Sequence, residues 1–525
     1  MTVHVPNASV RALRAVAATA DQLATQAAMT TFARGGNAVD AAVAANAAIA
    51  VTAPHLCGMG GDLFALVRTP DGEIAGLNAT GRAGTGVDAA VLREERHTVM
   101  PLRHDIRTVT VPGCVDGWMA LLDRFGSLDR ATVLSPAIAL AAEGFPASPL
   151  LVASLRTLDE QGALALIELV EQATERGVRV RRPGVALALQ SIVAGGRDAF
   201  YGGAFGEGLV AMSEGVFTAA DLARNQADWV TPLRAAVLDV ELVTIGPNSQ
   251  GYLALGAARL LDAAGWPDDP DSAEWAHLTA EASALAAHDR PAVLHEEADG
   301  AALVEAIARR GDRLDLDHAR AVRAPTADGD TTYLATADAD GWAVSLIQSN
   351  ASGFGSWLVE PTTAINLHNR GLGFSLEAGH PAELAPGRRP PHTLCPAMAT
   401  RDGELAAVFG AMGGDAQPQI LLQLAARLFG AGASPAEAVD APRWAWRGPA
   451  TGFDTWSGDV PPTLTIEGHA PGEWRRGLIE RGHDVAVAPE FDSGFGHAQV
   501  IVVEPSGTLA AAADPRARIG SAAGL

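Results

Sequence analysis

Apolar and polar positions follow two different periods along this chain, and the switches between them mark its organisation. Alanine-rich runs over 16–33 and 37–51 carry apolar residues at three- and four-residue spacing, which predicts two helices broken at Gly35-Gly36-Asn37. Beyond the glycine loop Cys57-Gly58-Met59-Gly60-Gly61-Asp62, LFALVRT and EIAGLNA alternate with period two around Thr69-Pro70-Asp71-Gly72 and predict a hairpin. Helical periodicity returns over 114–145 and dominates much of 150–325, its acidic and arginine-rich faces reading as solvated surface. There is no internal repeat.

From Gly311 to Asp330 the chain is polar, charged and poor in apolar residues, as an exposed linker would be. Period two then resumes sharply at Thr331. TTYLATA, a turn at Asp338-Ala339-Asp340-Gly341 and WAVSLIQS form the clearest hairpin of the sequence. Pairing about Asp340 sets Thr331 opposite Gln348 or Ser349, so two hydroxyls face one another at the strand end. Another strand, LAAVFGA, runs into Met412-Gly413-Gly414-Asp415 and the helical PQILLQLAARLF, which converges the amides of Gly413 and Gly414 on a helix N-terminus. AQVIVVEPSGTLAAAAD predicts a last hairpin. Strands and helices in blocks make a layered α+β protein.

Composition narrows the chemistry. The 525 residues are 48% apolar and 19% charged, the balance of a packed globule. A formal charge of -23 opposes nucleic-acid and anionic-membrane partners, which leaves small molecules. All 38 basic residues are arginine. A lysine Schiff base and a P-loop lysine are therefore excluded. Cys57, Cys114 and Cys395 are far apart and form no CxxC pair, so no disulfide framework is expected. With no h-region near the start and no apolar window approaching 18 residues, the expected location is cytoplasmic, off the membrane.

Several motifs resolve to ordinary roles. No lysine follows the 57–62 loop and its strand comes after it, which favours a tight backbone approach over phosphate binding. His368, His380 and His392 recur every 12 residues without HxH or HExxH spacing and read as surface or polar-pocket histidines; no metal and no cofactor is expected. Ser249, in Gly246-Pro247-Asn248-Ser249-Gln250-Gly251, misses the GxSxG elbow and reads as a serine turn.

Thr331 answers a more specific need. A threonine hydroxyl becomes a useful nucleophile when a base stands beside it, and the residue's own α-amine serves if the chain is cut before it, since a free amino terminus has a pKa of ~7.7–8.0. A polar linker ending at Asp330, a facing hydroxyl and a Gly-Gly amide pair fit that device. Threonine is also common in strands, and spacing alone leaves Thr331 an ordinary strand opener.

In order along the chain, GGNAVDAAVAANAAIAVTAPHLCGMGGDLF (35–64), VPGCVDGW (111–118), FYGGAFGEGLV (200–210), GPNSQG (246–251), DTTYLATADADGWAVSLIQS (330–349), RRPPHTLCPAM (388–398) and GAMGGDAQPQ (410–419) resemble the γ-glutamyltransferase family of N-terminal-nucleophile hydrolases. The resemblance implies a four-layer αββα sandwich, built from one precursor that cuts itself into fragments 1–330 and 331–525. It implies Thr331 as nucleophile, Ser349 as its supporting hydroxyl and Gly413 and Gly414 as oxyanion-hole donors. The fragments are expected to stay associated, with further dimerisation open.

The same resemblance places the family's clamp for a γ-glutamyl group at positions that depart from the pattern: Thr80 for an arginine, Gly373 for an aspartate, and His392 and Thr393 for a serine pair. Each unreplaced charge-assisted contact costs roughly 1.5–3 kcal/mol. Arg82 and Arg370 stand near the lost positions and offer guanidinium forks for a carboxylate. Asn350, His392 and Thr393 complete the substrate-binding candidates. GRAG, HNRGLGFS and PPHTL resemble a divergent branch of amidohydrolases and acylases, oxamate hydrolysis among its chemistries. The expectation is a small acid amide as substrate, with water or an amine as acceptor. A true γ-glutamyltransferase and an uncut, non-catalytic ligand-binding relative are the alternatives.

Overall fold

A computed structural model describes residues 8–319, 330–447 and 463–525. Residues 320–329 of the expected linker lie outside the described residues. Two seven-stranded sheets, all of whose neighbours are antiparallel, form the centre. One runs Val10–Ala12, Leu509–Ala513, Ala498–Val503, Glu404–Ala411, Ala397–Arg401, Val240–Thr244, Leu233–Val237. The other runs Ser521–Gly524, Ala15–Thr19, Asp330–Asp338, Ala343–Ala351, Asp62–Arg68, Ile74–Ala79, Ala227–Val230.

Alternating side chains divide the core into layers. Between the sheets lie Val16, Phe64, Leu66, Tyr333, Ala335 and Ile347 from one and Val243, Met398, Val408 and Ile501 from the other. The outer face of the sheet that holds Asp330–Asp338, with Leu334 and Leu346, packs on the helices Gln22–Ala33 and Ala38–Thr52. The outer face of its partner packs on Tyr252–Ala264, Ala273–Ala287 and Gln417–Ala425. The architecture is the four-layer αββα sandwich of the α+β class.

Two departures from the expected elements have physical causes. The first predicted helix begins only at Gln22, capped by Asp21, because Ala15–Thr19 is a strand buried on both faces in mid-sheet. A run of small residues with no polar alternation does not distinguish that setting from a helix. The described part of 150–325 also holds strands of the central sheets: Ala227–Val230 and Leu233–Val237 at their edges and Val240–Thr244 next to an edge.

Chain segments on either side of Thr331 interleave within both sheets. Asp330–Asp338 itself sits between Ala15–Thr19 from before it and Ala343–Ala351 from after it. Among the described residues, no helix is long and apolar enough to cross a membrane.

Candidate active site

The hairpin of Asp330–Asp338 and Ala343–Ala351 ends in a bulge. Thr332 pairs with Gln348 and Asp330 with Ala351, so Thr331 stands against two residues of the facing strand. The bulge turns the Thr331 hydroxyl to donate to Ser349 Oγ at 3.0 Å, and both side chains are buried. Ser349 Oγ also accepts the Ala351 amide at 2.8 Å, which fixes its rotamer. The adjacent Asn350 is pinned by donating its side-chain amide to the Pro54 carbonyl at 3.1 Å.

The loop 57–62 is what lets this strand lie so low. Side chains at Gly60 and Gly61 would run into the carbonyls of Asn366 and Ser349. The loop is the close backbone approach its sequence suggests. At its end Asp62 is fully buried, its Oδ1 accepting the Gly81 amide at 2.9 Å. Its Oδ2 lies 3.3 Å from His392 Nε2 and 3.6 Å from His368 Nδ1. Burial pushes the Asp62 carboxyl up, but His368, His392 and the Gly81 amide outweigh it and leave the group below the ordinary carboxylate range. Burial drives His392 down to about 3, so it is neutral near pH 7.

Gly413 and Gly414 come from the other sheet, where Glu404–Ala411 ends and leads to the helix Gln417–Ala425. The φ of Gly413, 141°, lies where glycine alone is comfortable, and that of Gly414, 52°, in the left-handed region that favours it. Gln250 ties this corner together, donating to the carbonyls of Gly414 and Thr393 at 3.0 Å each. Thr393 Oγ1 in turn accepts from Arg370 Nη1 at 3.2 Å.

Arg370 opens onto a cavity of about 400 Å³ whose walls include Val99, Met100, Leu372, Phe374, His380 and a second arginine, Arg290. Arg290 Nη2 lies 3.1 Å from the buried Asp415, next to Gly414. Burial and then the Arg290 charge push the Arg370 guanidinium down to about 10, against the pull of Asp415 and Asp62. Two guanidiniums therefore stand on one cavity wall, with the carboxylates of Asp415 and Asp62 nearby. Gly373, at the position expected to lack an acidic clamp, is also on its wall.

Of the anticipated site residues, only Arg370 is on that wall. Arg82 is engaged away from the cavity: its Nη2 bonds Asp228 at 2.7 Å, a carboxylate it shares with Arg389 at the same distance. Thr80 is buried in a polar knot with Asn78 and Asn248. His368 and His392 meet at Asp62, whereas His380 lies on the cavity wall. Ser249 donates to the Leu394 carbonyl at 2.7 Å and accepts the Gly251 amide, as a turn serine does. Arg290 and Asp415 carry no local sequence signal; a partnership spanning the hairpin reveals them.

The family model for gamma-glutamyltranspeptidase matches residues 24–524. The oxamate amidohydrolase proenzyme of Klebsiella pneumoniae is 35% identical, over 96% of this chain and 97% of that protein. A glutathione hydrolase-like proenzyme of Bacillus subtilis is 33% identical, over 99% and 100%. Among solved structures, the cephalosporin acylase of Bacillus halodurans superposes with a TM-score of 0.90 at 31% identity, covering 100% of this chain and 98% of that one.

Proposed function

This chain belongs to the gamma-glutamyltranspeptidase family, and from that membership we propose that it hydrolyses amides of small, carboxylate-bearing acids with Thr331 as its nucleophile. It is an enzyme of the N-terminal-nucleophile class, made as a precursor that processes itself.

Processing begins when the Thr331 hydroxyl attacks the Asp330 carbonyl. The peptide C–N bond breaks as the ester forms, and water then cleaves that ester. The products are fragments 1–330 and 331–525, with an Asp330 carboxylate and a free Thr331 amine. In turnover that amine takes the Thr331 hydroxyl proton while the oxygen attacks the substrate carbonyl. Backbone N–H groups of Gly413 and Gly414 hold the oxyanion, each such donor being worth ~3–4 kcal/mol in the transition state. The leaving amine departs with a proton, and water resolves the acyl-enzyme. Ser349 orients the attacking oxygen throughout.

The substrate carboxylate is assigned to Arg370 and Arg290 at the cavity, with Thr393 holding Arg370 in place. Arg82, committed to Asp228, is left as a structural arginine. The apolar wall of Val99, Met100, Leu372 and Phe374 leaves room for an acyl or amine portion larger than that of oxamate. A γ-glutamyl group is the less suited substrate, since Thr80 and Gly373 replace the charged members of its clamp.

One observation carries the reading: a buried hydroxyl pair, 3.0 Å apart, at a bulge where the precursor would be cut. The test is to assay processed protein on oxamate, longer dicarboxylic monoamides and a γ-glutamyl anilide. Turnover of the monoamides above the anilide supports the proposal, and the reverse order overturns it.

A further inference from the structure

The helix Ala273–Ala287 carries His277 and Glu281 four residues apart, one above the other on a single face. The turn that follows Gly472–Glu480 brings His483 against them, and all three side chains are buried. His277 Nδ1 lies 2.8 Å from His483 Nε2, which is 3.9 Å from Glu281 Oε1. One ligand atom from each of the three falls within 4.8 Å of the others.

We propose that His277, Glu281 and His483 bind one divalent transition-metal ion of the zinc class, with water in the remaining position. Two imidazoles and a carboxylate are a donor set that zinc accepts, and a helical i, i+4 pair is a common way to present two of them. The orienting contact is also in place. His277 Nε2 lies 3.0 Å from the Asp315 carbonyl; donating its N–H there leaves the Nδ1 lone pair aimed into the cluster. Tetrahedral zinc with bonds of about 2.0–2.1 Å sets ligand atoms about 3.3 Å apart. To reach that geometry the histidine pair opens by roughly half an ångström and the His483–Glu281 contact closes by about as much, while the His277–Glu281 separation, within 4.8 Å, closes to the same value.

The placement gives the ion a role. His277 and Glu281 precede Thr331, and His483 follows it. The last described residues before position 320 also rest here: besides the Asp315 contact, the Ala319 amide donates to the Arg481 carbonyl at 2.7 Å. An ion at this cluster would tie the two fragments together next to the last described residues before position 320. The metal site is independent of the proposed cut, although its bridging role rests on it.

The experiment strips the processed, full-length protein with a chelator and titrates cobalt(II), following visible absorption, and zinc, weighed by elemental analysis after gel filtration. The expected result is one equivalent per molecule, a tetrahedral cobalt band and a higher melting temperature with zinc. His483→Gln and Glu281→Gln, which keep shape and hydrogen bonding, should weaken binding at least ~10-fold. The uncut Thr331→Ala chain should bind the same one equivalent, which separates this site from the processing mechanism. Absence of the cobalt band, or equal binding by wild type and both glutamine variants, overturns the proposal.

Discussion

Thr331 and Ser349 face each other across the open end of an antiparallel hairpin, their hydroxyl oxygens 3.0 Å apart and shielded from water. A single bulge in the register creates the relationship. On the proposed mechanism one hydroxyl serves both the cut and the reaction, so Thr331→Ala should give one uncut 525-residue chain without amidase activity on intact-mass analysis and assay. Thr331→Ser should restore two pieces. Ser349→Ala leaves the nucleophile without its partner, a buried hydrogen-bond loss of about 1–3 kcal/mol, and should slow processing roughly 5- to 150-fold. A fully cut Thr331→Ala protein would sink the assignment.

Arg370 tests the substrate. Held by Thr393 and sharing the cavity wall with Arg290, it is the guanidinium to which the proposed mechanism assigns the substrate carboxylate. Arg370→Met should lower kcat/KM for a monoamide bearing a carboxylate by about 1.5–3 kcal/mol, or roughly 10- to 150-fold, while an uncharged amide of equal length is affected little. Equal losses on both substrates would point to a general disturbance of the fold.

The parts of this site that could be read from sequence are those with a local signature. The hairpin was visible because strict alternation flanks Asp338-Ala339-Asp340-Gly341, and the glycine pair because it separates a strand from a helix. Its bulge was not, since one residue of register leaves no mark in the pattern. Ala15–Thr19 was hidden by small residues buried on both faces. Arg290 and Asp415 lie 125 positions apart and meet only in the folded chain, and proximity in sequence promoted Arg82, whose guanidinium the fold gives to Asp228.

Backbone conformation makes the glycine pair separable. Gly413, at φ 141°, sits where an added Cβ is strained and would press on Ile420, while Gly414, at φ 52°, is in the milder left-handed region. Gly413→Ala should therefore displace an oxyanion donor and cut kcat by roughly 10²–10³. Gly414→Ala should cost less, on the order of 1 kcal/mol of stability. Single-turnover assays with thermal melts distinguish them; equal kcat losses would contradict the assignment.

The buried histidines set a pH dependence of stability. Burial holds His55 and His392 at about 3 and His497 at about 4, against an unfolded value of ~6.5. Between those limits the unfolded chain binds more protons than the folded one, so stability rises with pH. Each group's contribution is complete above about pH 6.5 and is lost as pH falls from there toward 3 or 4, with a slope of up to ~1.4 kcal/mol per pH unit. Urea-unfolding free energies measured from pH 8 to pH 5 should stay flat and then fall. His392→Gln, which cannot take up the proton, should make that acid limb shallower by up to about one proton's worth; an unchanged slope would mean that His392 is already protonated in the folded protein.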